Sequence, residues 1–203
     1  MTRGMFYLLF GYLSGSILFA QVAAKFLGKE DCFLDSKDQN PGTANAFLCG
    51  GFACGLLTLT GDLLKGWLPV HLYLTGVEQT MQPELALVLA APVLGTAFPL
   101  FHHFRGGKGI AVTFGCLLGL LPLDAPLIIF VGLFLFFSLA VRVQPHFYRT
   151  IVVYLLSLLL MVRMHVPTPV CTGFGLISLT VCYKLHRSKE IREKMKVQIL
   201  WKH

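Results

Sequence analysis

Charge is what this 203-residue chain has least of. Only 13% of its residues are Asp, Glu, Lys or Arg, against 55% hydrophobic, and its mean hydropathy is +0.70. A soluble domain cannot hide so much apolar surface. Acidic residues are scarcest, 10 against 17 Lys and Arg, which gives a net charge of +7. No aromatic–basic interleaving accompanies that excess, so nucleic-acid binding is not expected. The six cysteines form no C-x-x-C pair and no Cys/His grouping with metal-ligand spacing. They read as buried structural thiols, and neither a metal site nor a cofactor is expected.

What is present is a series of long apolar stretches. Residues 5–27, 46–74, 85–101, 110–123, 126–141, 150–164 and 170–183 are each apolar over much of a membrane thickness. The expected fold is therefore all-α: a polytopic membrane helix bundle of about seven spans. In the first stretch, Gly11, Ser14, Gly15 and Ser16 favour close helix packing. Val22-Ala23-Ala24 resembles a signal-peptidase site, but the stretch is longer than an ordinary signal core. Gly61, Gly66 and Pro69 are expected to break the second stretch.

Orientation follows from the basic residues. Arg105, Lys108, Arg142, Arg149 and the run Lys184, Arg187, Lys189, Arg192, Lys194, Lys196 fall on one side if the N-terminus is outside. Segment 76–84, without Lys or Arg, suits the opposite side. Residues 1–183 then form the transmembrane domain and 184–203 a basic cytoplasmic tail. Ile191, Met195 and Ile199 in that tail have the spacing of an amphipathic surface helix.

Chemistry is concentrated in Phe104-Arg105-Gly106-Gly107-Lys108-Gly109, which opens directly into the apolar segment from Ile110. Glycines let backbone approach a ligand closely. Their amides, a helix start and two cations make an anion cradle. The plain alternative is a basic turn between two spans. Asp62 and Lys65, three residues apart, share a helix face within an apolar segment. They read equally as a structural ion pair or as groups on a polar cavity. Lys37 and His186 are further cationic candidates, Asn40 and Asn45 neutral ones, and His102 and His103 read as interfacial. No histidine is followed five positions later by Asp, and no G-x-S-x-G elbow or Ser-His-Asp order appears, so no general base is recognisable.

Four features in this order resemble the PlsY-type glycerol-3-phosphate acyltransferases of bacterial inner membranes. They are Gly15-Ser16, the loop Asn40-Pro41-Gly42-Thr43-Ala44-Asn45, the segment Gly61-Asp62-Leu63-Leu64-Lys65-Gly66, and Leu94-Gly95 through Phe98-Pro99 to Gly106-Gly107-Lys108-Gly109-Ile110-Ala111. The resemblance implies acyl transfer from acyl phosphate to the 1-hydroxyl of sn-glycerol 3-phosphate, giving lysophosphatidate and phosphate for phospholipid synthesis. The implied partners are those two substrates and membrane lipid.

By the same resemblance Lys108, Asn45 and His186 would be catalytic. Arg105, Gly106, Gly107, Lys108, Gly109, Asn40, Gly42, Lys65, Asp62 and Ser16 would bind substrate or phosphate. The chain departs from the pattern at Asp38 in place of serine, Leu34 and Leu48 in place of arginines, and Thr96 in place of histidine. It departs again at Val143-Gln144-Pro145 and Lys189. The competing expectation is a diverged, non-catalytic membrane protein that binds a phosphorylated or lipid ligand.

Overall fold

A computed structural model describes residues 2–29, 33, 41–75, 82–188 and 196–199, with backbone alone for 142–144 and 196–199. Among the described residues eight α-helices carry the fold: α1 (Arg3–Gly15), α2 (Phe19–Phe26), α3 (Thr43–Leu74), α4 (Glu84–Ala97), α5 (Ile110–Leu118), α6 (Ala125–Leu135), α7 (His146–Arg163) and α8 (Thr168–Arg187). A π-helical turn, Phe136–Ala140, extends α6. The helical bundle expected from composition is what forms.

Large apolar side chains remain exposed along the outside: Phe6, Leu9 and Leu13 on α1, Leu57, Leu64 and Leu68 on α3, Leu155, Leu159 and Val162 on α7. Their helical spacing makes stripes that only lipid covers at low cost. The protein is a multi-pass membrane protein. Among the described residues, four helices, or helix-and-turn runs, are long and apolar enough to cross: Thr43–Leu74, Glu84–His102, His146–Arg163 and Thr168–Arg187. The α1–α2 pair, bent by 43°, is long and apolar enough when taken as one broken span.

The two remaining apolar segments are shorter. At nine residues, α5 rises roughly 14 Å, under half of a hydrocarbon core about 30 Å thick. Whether α5 and α6 count as two crossings or as one hairpin that dips in and returns, the sidedness of all other spans is unchanged.

The core lies where α4 is surrounded, with α1 and α8 packed against it. Tyr73, Leu85, Leu89, Phe130, Tyr154 and Phe174 are fully buried there. A smaller cluster, Ala20, Ala23, Ala24, Ala46 and Cys54, joins α2 to α3. The small residues of α1 act as the pattern suggested: a Cβ on Gly15 would collide with the Pro92 carbonyl of α4.

Two expectations change. Gly61, Gly66 and Pro69 do not break α3, which runs through all three. The break falls at Gly51 (φ 79°, ψ −178°), a conformation strained for any L side chain. Gly66 instead receives α5, with the Val112 carbonyl at the position a Cβ would take. The tail differs as well. Helix α8 continues to Arg187, and Lys196–Ile199 is not helical but a strand (β2) antiparallel to Val141–Gln144 (β1). Positions 189–195, with Ile191 and Met195, lie outside the described residues, as do Leu34, Lys37, Asp38 and Asn40.

Candidate functional site

The turn that leads to the glycine loop is held by the end of α1. Tyr12 donates its hydroxyl proton to the Phe98 carbonyl (2.7 Å), and the buried Ser16 Oγ accepts from the Leu100 amide (3.2 Å). Thr96 donates to the carbonyls of Gly15 (3.1 Å) and Pro92 (2.9 Å). Gly106 then passes so close to the Thr96 carbonyl that a Cβ would collide with it.

At the other end of the loop, Gly109 (φ 78°) is left-handed and turns the chain into α5. Its carbonyl accepts from both the amide and the hydroxyl of Thr113, each at 3.0 Å. Tyr154 donates to the Thr113 Oγ1 at 2.8 Å in the buried core. Lys108 therefore sits on a loop fixed at both ends, which limits how far its side chain can wander.

A cavity of about 460 Å³ opens beside this loop. Gly107, Lys108, Gly109, Ile110 and Ala111 form one wall, and Gly42, Thr43, Ala44 and Asn45 another. His146, Arg149 and Thr150 form a third. These three walls are the starts of α5, α3 and α7. Each helix start carries amides without intrahelical acceptors and the positive end of a macrodipole. Three of them around one cavity, with Lys108 and Arg149, make it a site for anions. Most of the remaining wall is apolar: Phe47, Leu59, Phe114, Phe134 and Leu185. Headgroup charge and hydrocarbon can thus be accommodated side by side.

The carboxylate of Asp62 also lies on the wall, but it is engaged twice. Its Oδ1 is 2.8 Å from the Lys65 Nζ, and its Oδ2 accepts from the Thr43 hydroxyl at 2.9 Å. The pairing offsets a charge that would otherwise repel an anionic ligand.

A family model described as glycerol-3-phosphate acyltransferase matches residues 5–195. The chain belongs to that family. A glycerol-3-phosphate acyltransferase of Cupriavidus taiwanensis is 40% identical over 124 residues, 59% of this chain and 59% of the relative. One of Pseudomonas fluorescens is 42% identical over 121 residues, 58% of this chain and 62% of the relative. These matches span about three fifths of the curated relatives' own length.

Solved structures extend the likeness across the fold. The glycerol 3-phosphate form of PlsY (YgiH), an integral membrane glycerol 3-phosphate acyltransferase, has a TM-score of 0.78 at 25% identity, covering 91% of this chain and 89% of that one. Its lysophosphatidic acid form has a TM-score of 0.77 at 26% identity, covering 92% and 89%.

The expected site residues divide. Gly42, Asn45, Asp62, Gly107, Lys108 and Gly109 are brought to one cavity. Gly106 shapes the loop from behind. Ser16, Lys65, Arg105 and His186 do not line the cavity: Ser16 and Lys65 are buried in the scaffold, and Arg105 and His186 are exposed. Asn40 lies outside the described residues.

Sequence reasoning did not assign Arg149, Thr43 or His146 to the site. For Arg149 a signal existed. A cation among the first four residues of a helix opposes the macrodipole, which suggests an anion close by.

Proposed function

We propose that this protein transfers an acyl group from acyl phosphate to the 1-hydroxyl of sn-glycerol 3-phosphate in a bacterial cytoplasmic membrane, releasing lysophosphatidate and phosphate. One observation carries the reading: three helix N-termini and two cations line a cavity whose remaining wall is mostly apolar, with its one carboxylate, Asp62, already paired to Lys65. A phosphate-bearing substrate with an acyl chain matches both halves. Membership of the glycerol-3-phosphate acyltransferase family supports the same reaction.

In this mechanism the acceptor hydroxyl oxygen attacks the acyl carbonyl carbon, and the bond from that carbon to the phosphate oxygen breaks. The hydroxyl proton passes to the departing phosphate, so no protein base is needed. Lys108 and the amides at the start of α5 hold phosphate and stabilise the charge that shifts onto it. Asn45, from the start of α3, orients the acceptor, and the apolar wall positions the acyl chain. Arg105, exposed beside the loop, attracts anionic substrates at longer range. Lys65 acts through Asp62 rather than on the substrate.

The N-terminus is outside, and the glycine loop, the starts of α3 and α7 and the end of α8 face the cytoplasm. That places the cavity at the inner leaflet, where soluble glycerol 3-phosphate meets a membrane-borne donor. Lys184 and Arg187, in the last turn of α8, put basic charge on the same surface, where it is attracted to anionic lipid.

The test supplies labelled glycerol 3-phosphate and acyl phosphate to the purified protein. Labelled lysophosphatidate and inorganic phosphate, formed one to one, are expected. Binding of both substrates without product would reject acyl transfer in favour of a ligand-binding protein.

A further inference from the structure

Among the described residues, Arg149 is the cavity-wall side chain with a buried polar atom that has no hydrogen-bond partner. It lies at the start of α7, half-buried, and its Nε is buried without a hydrogen-bond partner among the described residues. A guanidinium stays charged at every physiological pH, so an orphaned Nε–H cannot be relieved by losing its proton. Leaving such a donor unsatisfied in a buried place is unfavourable. The position adds to the cost, because the start of a helix is itself positive. The carboxylate on the cavity wall, Asp62, is already held by Lys65 and Thr43. An anion entering the cavity would offset the positive charge gathered there by the guanidinium and the helix start.

We propose that Arg149 is a second phosphate-binding cation, acting with Lys108 from a separate wall of the cavity. This rests on the acyl-transfer reading of that cavity and deepens it. The reaction brings two phosphates into one site, one on the donor and one on the acceptor, and a single ammonium with one set of amides serves one of them best. A guanidinium offers two parallel N–H donors to two phosphate oxygens, which a lysine cannot. Arg149 can therefore grip either phosphate through two of its non-bridging oxygens.

Arg149→Gln and Arg149→Lys test this, with KM measured separately for glycerol 3-phosphate and for acyl phosphate. In Arg149→Gln the KM for one of the two rises about ten- to a hundredfold, as expected for a lost charged hydrogen bond. The substrate whose KM moves identifies which phosphate Arg149 holds. Arg149→Lys, keeping the charge but not the fork, falls between Gln and wild type. Should Arg149→Gln fail to fold, Arg149→Lys alone still shows a severalfold rise in one KM.

Unchanged KM values in a folded variant overturn the proposal. So does a loss confined to kcat and melting temperature, the mark of a structural role. If wild type turns nothing over, acyl transfer fails on its own, and inorganic phosphate binding by calorimetry decides on Arg149. Phosphate binding weakened in Arg149→Gln supports the assignment. Equal binding in both proteins, or none in wild type, refutes it.

Discussion

Lys65 donates its ammonium proton to the carbonyl oxygen of Ile17, 2.9 Å away. Ile17 lies in the break between α1 and α2, where carbonyls lose their helical partners. Lys65 also pairs with Asp62 and stands 5.7 Å from the Phe19 ring centroid. One buried side chain thus satisfies a broken helix and neutralises the acid beside the cavity.

Lys65→Met should therefore act through stability. It leaves Asp62 with Thr43 alone, and removing one partner of a buried pair costs about 3–5 kcal/mol. A marked fall in melting temperature in detergent is expected, with Asp62→Asn added to Lys65→Met recovering part of it. Normal melting with abolished substrate binding would instead make Lys65 a direct anion ligand.

Lys108→Met should abolish lysophosphatidate formation while leaving the protein folded, since the loop is anchored at both ends through Leu100, Gly109 and Thr113. The measurement is turnover at saturating concentrations of both substrates. Turnover equal to wild type would remove Lys108 from the mechanism.

Gly106→Ala tests how tightly the loop is placed. The new methyl meets the Thr96 carbonyl and the Pro99 ring, so the loop must move away. A displacement on the order of 1 Å costs roughly a hundredfold in rate when it misplaces a reacting group. We expect turnover to fall by about ten- to a hundredfold with only a small change in melting. An unaffected rate would show that the loop position is not limiting.

Phe134→Ala should shift acyl-chain preference. Phe134 and Phe114 (ring centroids 5.4 Å apart) close part of the apolar wall. Removing the ring opens room for further methylenes, each worth about 0.8 kcal/mol when buried. Comparing kcat/KM across acyl phosphates of increasing length should place the optimum at longer chains. An unmoved optimum would put the acyl chain elsewhere.

Much of the site was legible because its parts are local. The glycine loop, its lysine and the helix that follows are contiguous, and Asn45 with Gly42 stands in one turn-forming segment. Lys65 was half legible. Its spacing from Asp62 put both on one helix face, but which neighbour that face meets depends on where α1 breaks. Arg149 read as a topogenic charge, because its place in the first turn of a helix hints at an anion but not at which elements share a cavity with it.

Membrane residence, the helical architecture and the expectation of an anion cradle at residues 104–109 follow from composition, periodicity and backbone chemistry, which act over a few residues at a time. Tertiary packing alone decided that the starts of α3, α5 and α7 share one cavity, that Arg149 joins Lys108 there, and that Lys65, Arg105, Ser16 and His186 stay outside it. The physical reason is that burial and the sum of helix dipoles are properties of whole elements brought together. Neighbours in the chain carry no record of them.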